Sequence, residues 1–261
     1  MTSGSFSRRD SLAAFVVEGP LATTGALLLL VVVWQVGSGL VAAPWLPSFS
    51  DVLGRAVRLF GSGELPPVLA ASLGNLAVGY AVSVVLGLSL GTMMALSRKV
   101  HYAFRALVDA LLFVPPVLYA PLLLAFLGFS DVALIAVIVM FAAFVIAVNT
   151  QTAVSTVDAE LREMAHAFGA GWGQQLREVV LPGALPQVFA GLRLGMGRAV
   201  KGMIIGELFV TVVGLGAIER RFASVFDAEG VWAIALIVIS IAIVLIWVIE
   251  LIDRLVNWWA T

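Results

Sequence analysis

The stretch Val132-Ala133-Leu134-Ile135-Ala136-Val137-Ile138-Val139-Met140-Phe141-Ala142-Ala143-Phe144-Val145-Ile146-Ala147-Val148-Asn149-Thr150 opens a run without charge that extends to Thr156. A helix needs about 20 predominantly apolar residues to cross the hydrocarbon core of a bilayer, and this run supplies them. Reading outward, Gly19–Ser50, Leu65–Ser97, Ala110–Ser130 and Val231–Ile249 are also free of charge. The chain of 261 residues is 61% hydrophobic and 12% charged, whereas an ordinary soluble domain is about 45–50% apolar and 25% charged. Its mean hydropathy is +1.08. So little charge cannot clothe a water-soluble surface. The expected fold is an all-α polytopic membrane protein in one domain, embedded in lipid. A soluble enzyme and a DNA-binding module are excluded.

The net charge of −1 offers no general attraction to nucleic acid. The chain has no cysteine, hence no disulfide, no iron–sulfur cluster and no thiol nucleophile. Ser7-Arg8-Arg9-Asp10 has the outline of a twin-arginine export signal, but Glu18 and Pro20 interrupt the apolar stretch behind it. A positively charged cytoplasmic end before the first span is the reading adopted.

Six spans are expected, at about 21–43, 68–96, 106–127, 132–154, 186–213 and 231–252. With the N-terminus inside, the inner segments carry Arg8, Arg9, Arg98, Lys99, Arg105, Arg162, Arg177, Arg193 and Arg254, against Arg55, Arg58, Arg220 and Arg221 outside. Positive charge collects on cytoplasmic loops, so both termini are expected in the cytoplasm. Trp45 and the Trp258-Trp259 pair sit at span ends, where an indole meets both hydrocarbon and water. Between the first two spans, Ser50 or Asp51 is the expected cap of an interfacial helix. Val52, Leu53, Ala56, Leu59 and Phe60 form its apolar side, and Gly61, Gly63, Pro66 and Pro67 end it.

Two chemical-looking signals reduce to packing or to nothing. Gly87-Leu88-Ser89-Leu90-Gly91 matches the G-x-S-x-G of a hydrolase nucleophile, yet it lies inside an apolar helix without the strand-to-helix elbow. Its glycines, like Gly191–Gly195 and Gly202–Gly206, suit close helix packing or dimerisation. His101 and His166 have no carboxylate at ligand spacing, so no metal is expected. Lys99 precedes Val100 and Lys201 precedes Gly202, which rules out a standard ATP-binding loop and leaves no cofactor in this chain.

The loop joining spans four and five, 155–185, is the most informative. Asp158 suits an N-cap, and Leu161, Met164, Ala165 and Phe168 fall on one side of a helix of about three turns. Gly169 and Gly171 stop it. A second short amphipathic piece follows, expected to end at Pro182 and Pro186. Helices that rest on bilayers carry Lys or Arg on the polar face. This one carries Asp158, Glu160 and Glu163 against a single Arg162, which favours a protein partner.

In this loop the chain resembles the membrane subunits of bacterial ATP-binding-cassette importers, whose hallmark is the EAA loop. Glu163 and Ala165 match, Gly169 follows six residues after Glu163, and Leu181-Pro182 begins twelve after Gly169. Met164 departs from the usual alanine and makes the contact surface bulkier. The resemblance runs from Leu46 to about Trp259. Leu46-Pro47-Ser48-Phe49-Ser50-Asp51-Val52-Leu53, Ser72-Leu73-Gly74, Val114-Pro115-Pro116, Ala120-Pro121-Leu122 and Gly206-Glu207 look like the nitrate, aliphatic-sulfonate, taurine and pyrimidine-precursor branch. The resemblance implies a type I importer in the bacterial inner membrane. Two membrane subunits pair, here a chain with a second copy of itself. Two cytoplasmic ATP-binding subunits hold ATP and Mg, and an extracytoplasmic binding protein delivers solute. Glu163, Met164, Ala165, Phe168, Gly169, Leu181 and Pro182 become the contact with the ATPase, and the chain itself is not an enzyme.

Span five carries Arg198, Lys201 and Glu207, and ionisable groups at membrane depth are functional candidates. Arg198 and Lys201 are about 60° apart on the helix and share a face, whereas Glu207 lies about 180° from Arg198. All three stand as candidates for a solute pathway, with structural pairing as the alternative, Lys201 with a carboxylate such as Asp109. Pro115, Pro116 and Pro121 are expected to break span three, and backbone freed in a membrane must be buried or line a wet cavity. Pro115 and Pro116 therefore join the pathway candidates. The solute expected is small and anionic: a sulfonate, nitrate, a carboxylate or a vitamin precursor. A secondary transporter or channel is the rival reading.

Overall fold

The computed structural model describes residues 20–41, 43–211 and 213–257. Arg8, Arg9, Trp258 and Trp259 lie outside the described residues. The elements in chain order are α1 (Pro20–Val41), α2 (Phe49–Gly61), α3 (Leu65–Leu96), α4 (Arg98–Phe113), a 3-10 turn (Pro116–Leu118), α5 (Tyr119–Leu127) and α6 (Asp131–Ser155). There follow α7 (Ala159–Ala167), α8 (Trp172–Gln175), a π turn (Leu176–Val180), α9 (Leu181–Phe209), α10 (Leu215–Ser224) and α11 (Ala228–Val256). No strand occurs among the described residues. Among the described residues, five helical runs are long and apolar enough to cross a membrane: Thr24–Val41, Leu65–Leu96, Asp131–Ser155, Trp172–Phe209 and Ala228–Val256.

The opening stretch forms α6, and α6 is the centre of the molecule. Leu134, Val137, Ile138, Ala142, Ile146 and Ala147 are fully buried on it. Glycines bring its neighbours close. A Cβ on Gly79 or Gly87 of α3 would lie 2.7 Å from Ile138 or 2.6 Å from Ile146. On α9, one at Gly191, Gly195 or Gly206 would lie 2.6 Å from Asn149, 2.5 Å from Ile146 or 2.5 Å from Leu134. The pairings rise together along α3 and α6 and run oppositely along α9, so α3 is parallel to α6 and α9 antiparallel. The G-x-S-x-G residues are thus a packing surface: Gly87 and Gly91 face α6, while Ser89 turns outward and donates to the Val85 carbonyl at 2.7 Å. With few large side chains between them, backbones approach and dispersion contacts multiply, which is how helices associate in lipid.

The molecule has two ends. At one, α7 and α8 connect α6 to α9. At the other, α2, α10 and the start of α11 are stitched by Arg55–Asp227 (2.7 Å), Arg58–Glu229 (3.5 Å) and Arg221–Glu64.

Three expectations need correction. The segment 106–127 is not one continuous helix: the break expected at Pro115 and Pro116 is there, and the one expected at Pro121 is not. Its first helix starts at Arg98, stops at Phe113, and gives way to extended backbone at Val114, the conformation forced on a residue before proline. Pro115 has no N–H for the Leu111 carbonyl, and the Tyr119 hydroxyl takes its place at 2.7 Å. Pro121 breaks nothing. It is the third residue of α5, in the first turn, where backbone N–H groups have no intrahelical acceptor anyway.

Pro182 and Pro186 do not end a helix either. Pro182 stands in the first turn of α9 and Pro186 is carried inside it. The π turn bonds the Leu181 N–H to the Leu176 carbonyl, so the helical run continues from Trp172 to Phe209. A widened turn ahead of a proline absorbs the bond its nitrogen cannot make. Finally, α2 is capped by Ser48, which accepts from the Asp51 N–H at 3.2 Å, in place of Ser50 or Asp51.

Candidate functional site

Helix α7 is delimited at both ends by side chain and backbone chemistry read from its sequence. Asp158 accepts from the Glu160 N–H at 2.8 Å and caps the start. At the end, the Gly169 N–H donates to His166 (2.9 Å) and the Ala170 N–H to Ala165 (3.0 Å), with Gly169 at φ +82°. That pair of bonds is a Schellman stop, and it demands a left-handed residue at Gly169. The Gln175 amide then donates to the Ala170 carbonyl at 2.8 Å and closes the loop onto α8.

Beneath α7 the loop rests on Val157, Val180 and Ala184, which pack with Ala153 and Val154 of α6. Thr156 donates to Gln187 of α9 at 3.1 Å. The platform is fixed, but α7 itself buries no residue. Leu161, Met164 and Phe168 share a side of α7 and stand open, Met164 55% and Phe168 86% exposed. Trp172 adds an exposed indole at the start of α8. A cavity of about 410 Å³ lies alongside, lined by Ala159, Arg162, Glu163, His166, Ala167 and Gln175. Glu163 and Gly169 are exposed and Ala165 half-buried, while Leu181 and Pro182 form the base of α9, the leucine exposed. Gln175 and Trp172 escaped sequence reading. The only signal for Gln175 was its place four residues after Gly171.

The charges of α9 separate as their helical angles require. Arg198 and Lys201 are exposed on one face, and neither forms an ion pair among the described residues. Asp109, offered as a partner for Lys201, pairs instead with Arg105 at 2.7 Å, one helical turn away on α4. Glu207 is 0% exposed on the opposite face and accepts from the Gly216 N–H at 2.9 Å. Pro115 is exposed at the break between α4 and the 3-10 turn that Pro116 opens.

The family described as binding-protein-dependent transport system inner membrane components matches residues 83–258, well over half of the chain. The chain belongs to this family. It is the membrane-embedded, multi-pass permease subunit of an ABC importer. This permease is 33% identical over 190 residues to a putative aliphatic sulfonates transport permease protein of Bacillus subtilis, covering 72% of this chain and 69% of the relative. It is 31% identical over 207 residues to a formylaminopyrimidine transport permease protein of Halalkalibacterium halodurans, covering 79% and 82%. The permease also superposes, at 20% identity and a TM-score of 0.65, on a chain of the MetNI methionine ABC transporter in an inward-facing conformation, covering 74% of this chain and 98% of that one. The relatives fall in the branch that Leu46–Leu53, Ser72–Gly74 and Gly206-Glu207 resemble.

Proposed function

We propose that this permease crosses the bacterial inner membrane six times, with both termini cytoplasmic, and pairs with a second copy of itself. Two cytoplasmic subunits hold ATP and Mg and seat on α7 through Glu163, Met164, Ala165, Phe168 and Gly169, with Leu181 and Pro182 at the base. An extracytoplasmic binding protein delivers the solute. The observation that carries this reading is the open apolar side of α7: Leu161, Met164 and Phe168 are held on the platform with none of the described residues covering them. Exposed apolar side chains on a rigid helix mark a surface that a protein partner covers.

The solute pathway in this reading runs past Lys201 and Arg198, with the broken backbone at Pro115 and Pro116 as a wall. Two cations without an ionic partner among the described residues support a small anionic solute. A sulfonate, the solute class in the Bacillus relative's name, fits that description, as do nitrate, a carboxylate and an anionic vitamin precursor.

The test is purification of the chain from its host membrane, with mass spectrometry of co-eluting subunits and trapped solute, followed by reconstitution alone and with those subunits. Alone in liposomes, the chain is expected neither to hydrolyse ATP nor to move solute. Transport by the isolated chain down a gradient supports the secondary-transporter or channel reading, and ATP hydrolysis by it overturns the assignment.

A further inference from the structure

The corner between α9 and α10 is built more tightly than a connection between helices needs. Gly214 stands at the N-cap of α10 and has no side chain with which to cap it. The first two amides of α10 are satisfied from other helices. Leu215 N–H donates to Ser72 Oγ of α3 at 3.1 Å, and Gly216 N–H donates to Glu207 Oε2 of α9 at 2.9 Å. A carboxylate at that point also meets the positive end of the α10 dipole. In the other direction, Arg220 of α10 donates to the carbonyls of Leu208 (2.6 Å) and Thr211 (3.2 Å), at and just beyond the end of α9. Each helix caps the other, so backbone groups that helix termini leave unsatisfied are paired across the corner.

The fit leaves no slack. A Cβ on Gly214 would lie 2.5 Å from Glu207 Cδ, and one on Gly216 would lie 2.8 Å from Glu207 Cβ. Gly214 also has φ +144°, which L side chains rarely adopt. Beyond the corner, α10 is keyed to the far end of the molecule. Arg221 pairs with Glu64, and the guanidinium groups of Arg55 and Arg221 lie 5.2 and 5.4 Å from the Phe222 ring. At its other end, α9 continues without interruption through the π turn to Trp172, five residues after the end of α7. That run of 38 residues is roughly 57 Å long at 1.5 Å per residue.

We infer that Glu207 is a positioning residue that locks α10 to α9, so that one rigid piece joins the loop under the ATPase to the opposite surface of the membrane. Movement of α7 and movement of α10 are then a single motion, with Glu207 as its corner. This rests on α7 being the ATPase seat. Two sites joined this way are coupled only if a change at one is read at the other, which is directly measurable.

The chain has no cysteine, so single spin labels can be placed at Ser224→Cys on α10 and, separately, at Gln174→Cys on α8. The whole complex is purified through a tag on this chain, placed in lipid nanodiscs and read by electron paramagnetic resonance with and without ATP and Mg. In the otherwise unaltered chain both labels are expected to respond to nucleotide. With Glu207→Leu, the response at 174 is expected to persist and that at 224 to be lost. Glu207→Gln is expected to restore it, because the amide oxygen still accepts from Gly216. A full response at 224 with Glu207→Leu overturns the inference, and so does a Gln variant that fails as Leu does. If Glu207→Leu does not assemble, Arg220→Met breaks the corner from its other side and carries the same test. An unaltered complex that responds at 174 but not at 224 overturns this inference alone, whereas silence at 174 overturns the ATPase seat beneath it.

Discussion

Gly91 of α3 sits against Thr150 of α6 so closely that a Cβ on the glycine would lie 2.7 Å from the Thr150 Cβ and nearer still to the Ala147 carbonyl oxygen. Backbone oxygen cannot swing aside as the tip of a side chain can. Gly91→Ala is therefore expected to force α3 from α6 and to cost about 1–3 kcal/mol, the usual range for overpacking. Gly74→Ala, on the same helix with nothing within 4 Å of its Cβ, is the control. It is expected to be neutral or to stabilise by up to about 1 kcal/mol through helix propensity. Thermal unfolding of both variants in nanodiscs checks this. Equal midpoints would mean that the two helices do not depend on the close approach.

At Gly169 the space around the residue is open, but φ is +82°. Strain alone governs substitution there. Alanine is expected to cost about 1–2 kcal/mol and β-branched valine more. Asparagine, which tolerates the left-handed region, should cost least. With Gly169→Val, α7 loses its stop, and co-purification of the ATPase should fail while the spans still insert. A Gly169→Val permease that assembles and transports normally refutes the role given to this turn.

Lys201 tests the pathway. It is exposed on α9 and has no ion pair among the described residues, so its removal breaks no salt bridge. Lys201→Met is expected to impair uptake with assembly intact, and Lys201→Arg to retain part of it, since charge matters here more than fork geometry. Uptake and subunit stoichiometry are measured in parallel. Normal uptake by Lys201→Met, or loss of uptake only through loss of assembly, returns Lys201 to a structural role.

Burial raises the Glu219 carboxyl on α10 above its ordinary value of 4.5. The charged form is thus disfavoured in the folded state, and stability falls as pH rises from that ordinary value through the raised one. Glu219→Gln should remove this dependence. It is expected to raise the unfolding midpoint at pH 7 and to leave it unchanged near pH 4, where the carboxyl is protonated folded or unfolded. A variant that gains as much at pH 4 as at pH 7 acts through something other than charge.

The sequence by itself determined that the chain spans a membrane, that Asp158 and Gly169 delimit a helix, and that Arg198 and Lys201 share a face away from Glu207. Each is a matter of composition, local backbone preference or helical period, and needs no knowledge of neighbours. It could not say which glycine stripe meets which helix. Gly87, Gly91, Gly195 and Gly206 all converge on α6, and a small residue records only that something comes close, not what. Nor could it see that prolines 182 and 186 are carried within a continuous helix, because the π turn that accommodates them leaves no compositional mark. The partner of Glu207 was out of reach for the same reason. Its acceptor role is set by Gly216 N–H, a backbone group every residue but proline has, and only the turn at Gly214 brings that donor to the carboxylate. Tertiary structure decided that the described residues leave the apolar side of α7 uncovered, because exposure depends on which other elements pack against a helix and not on its own sequence.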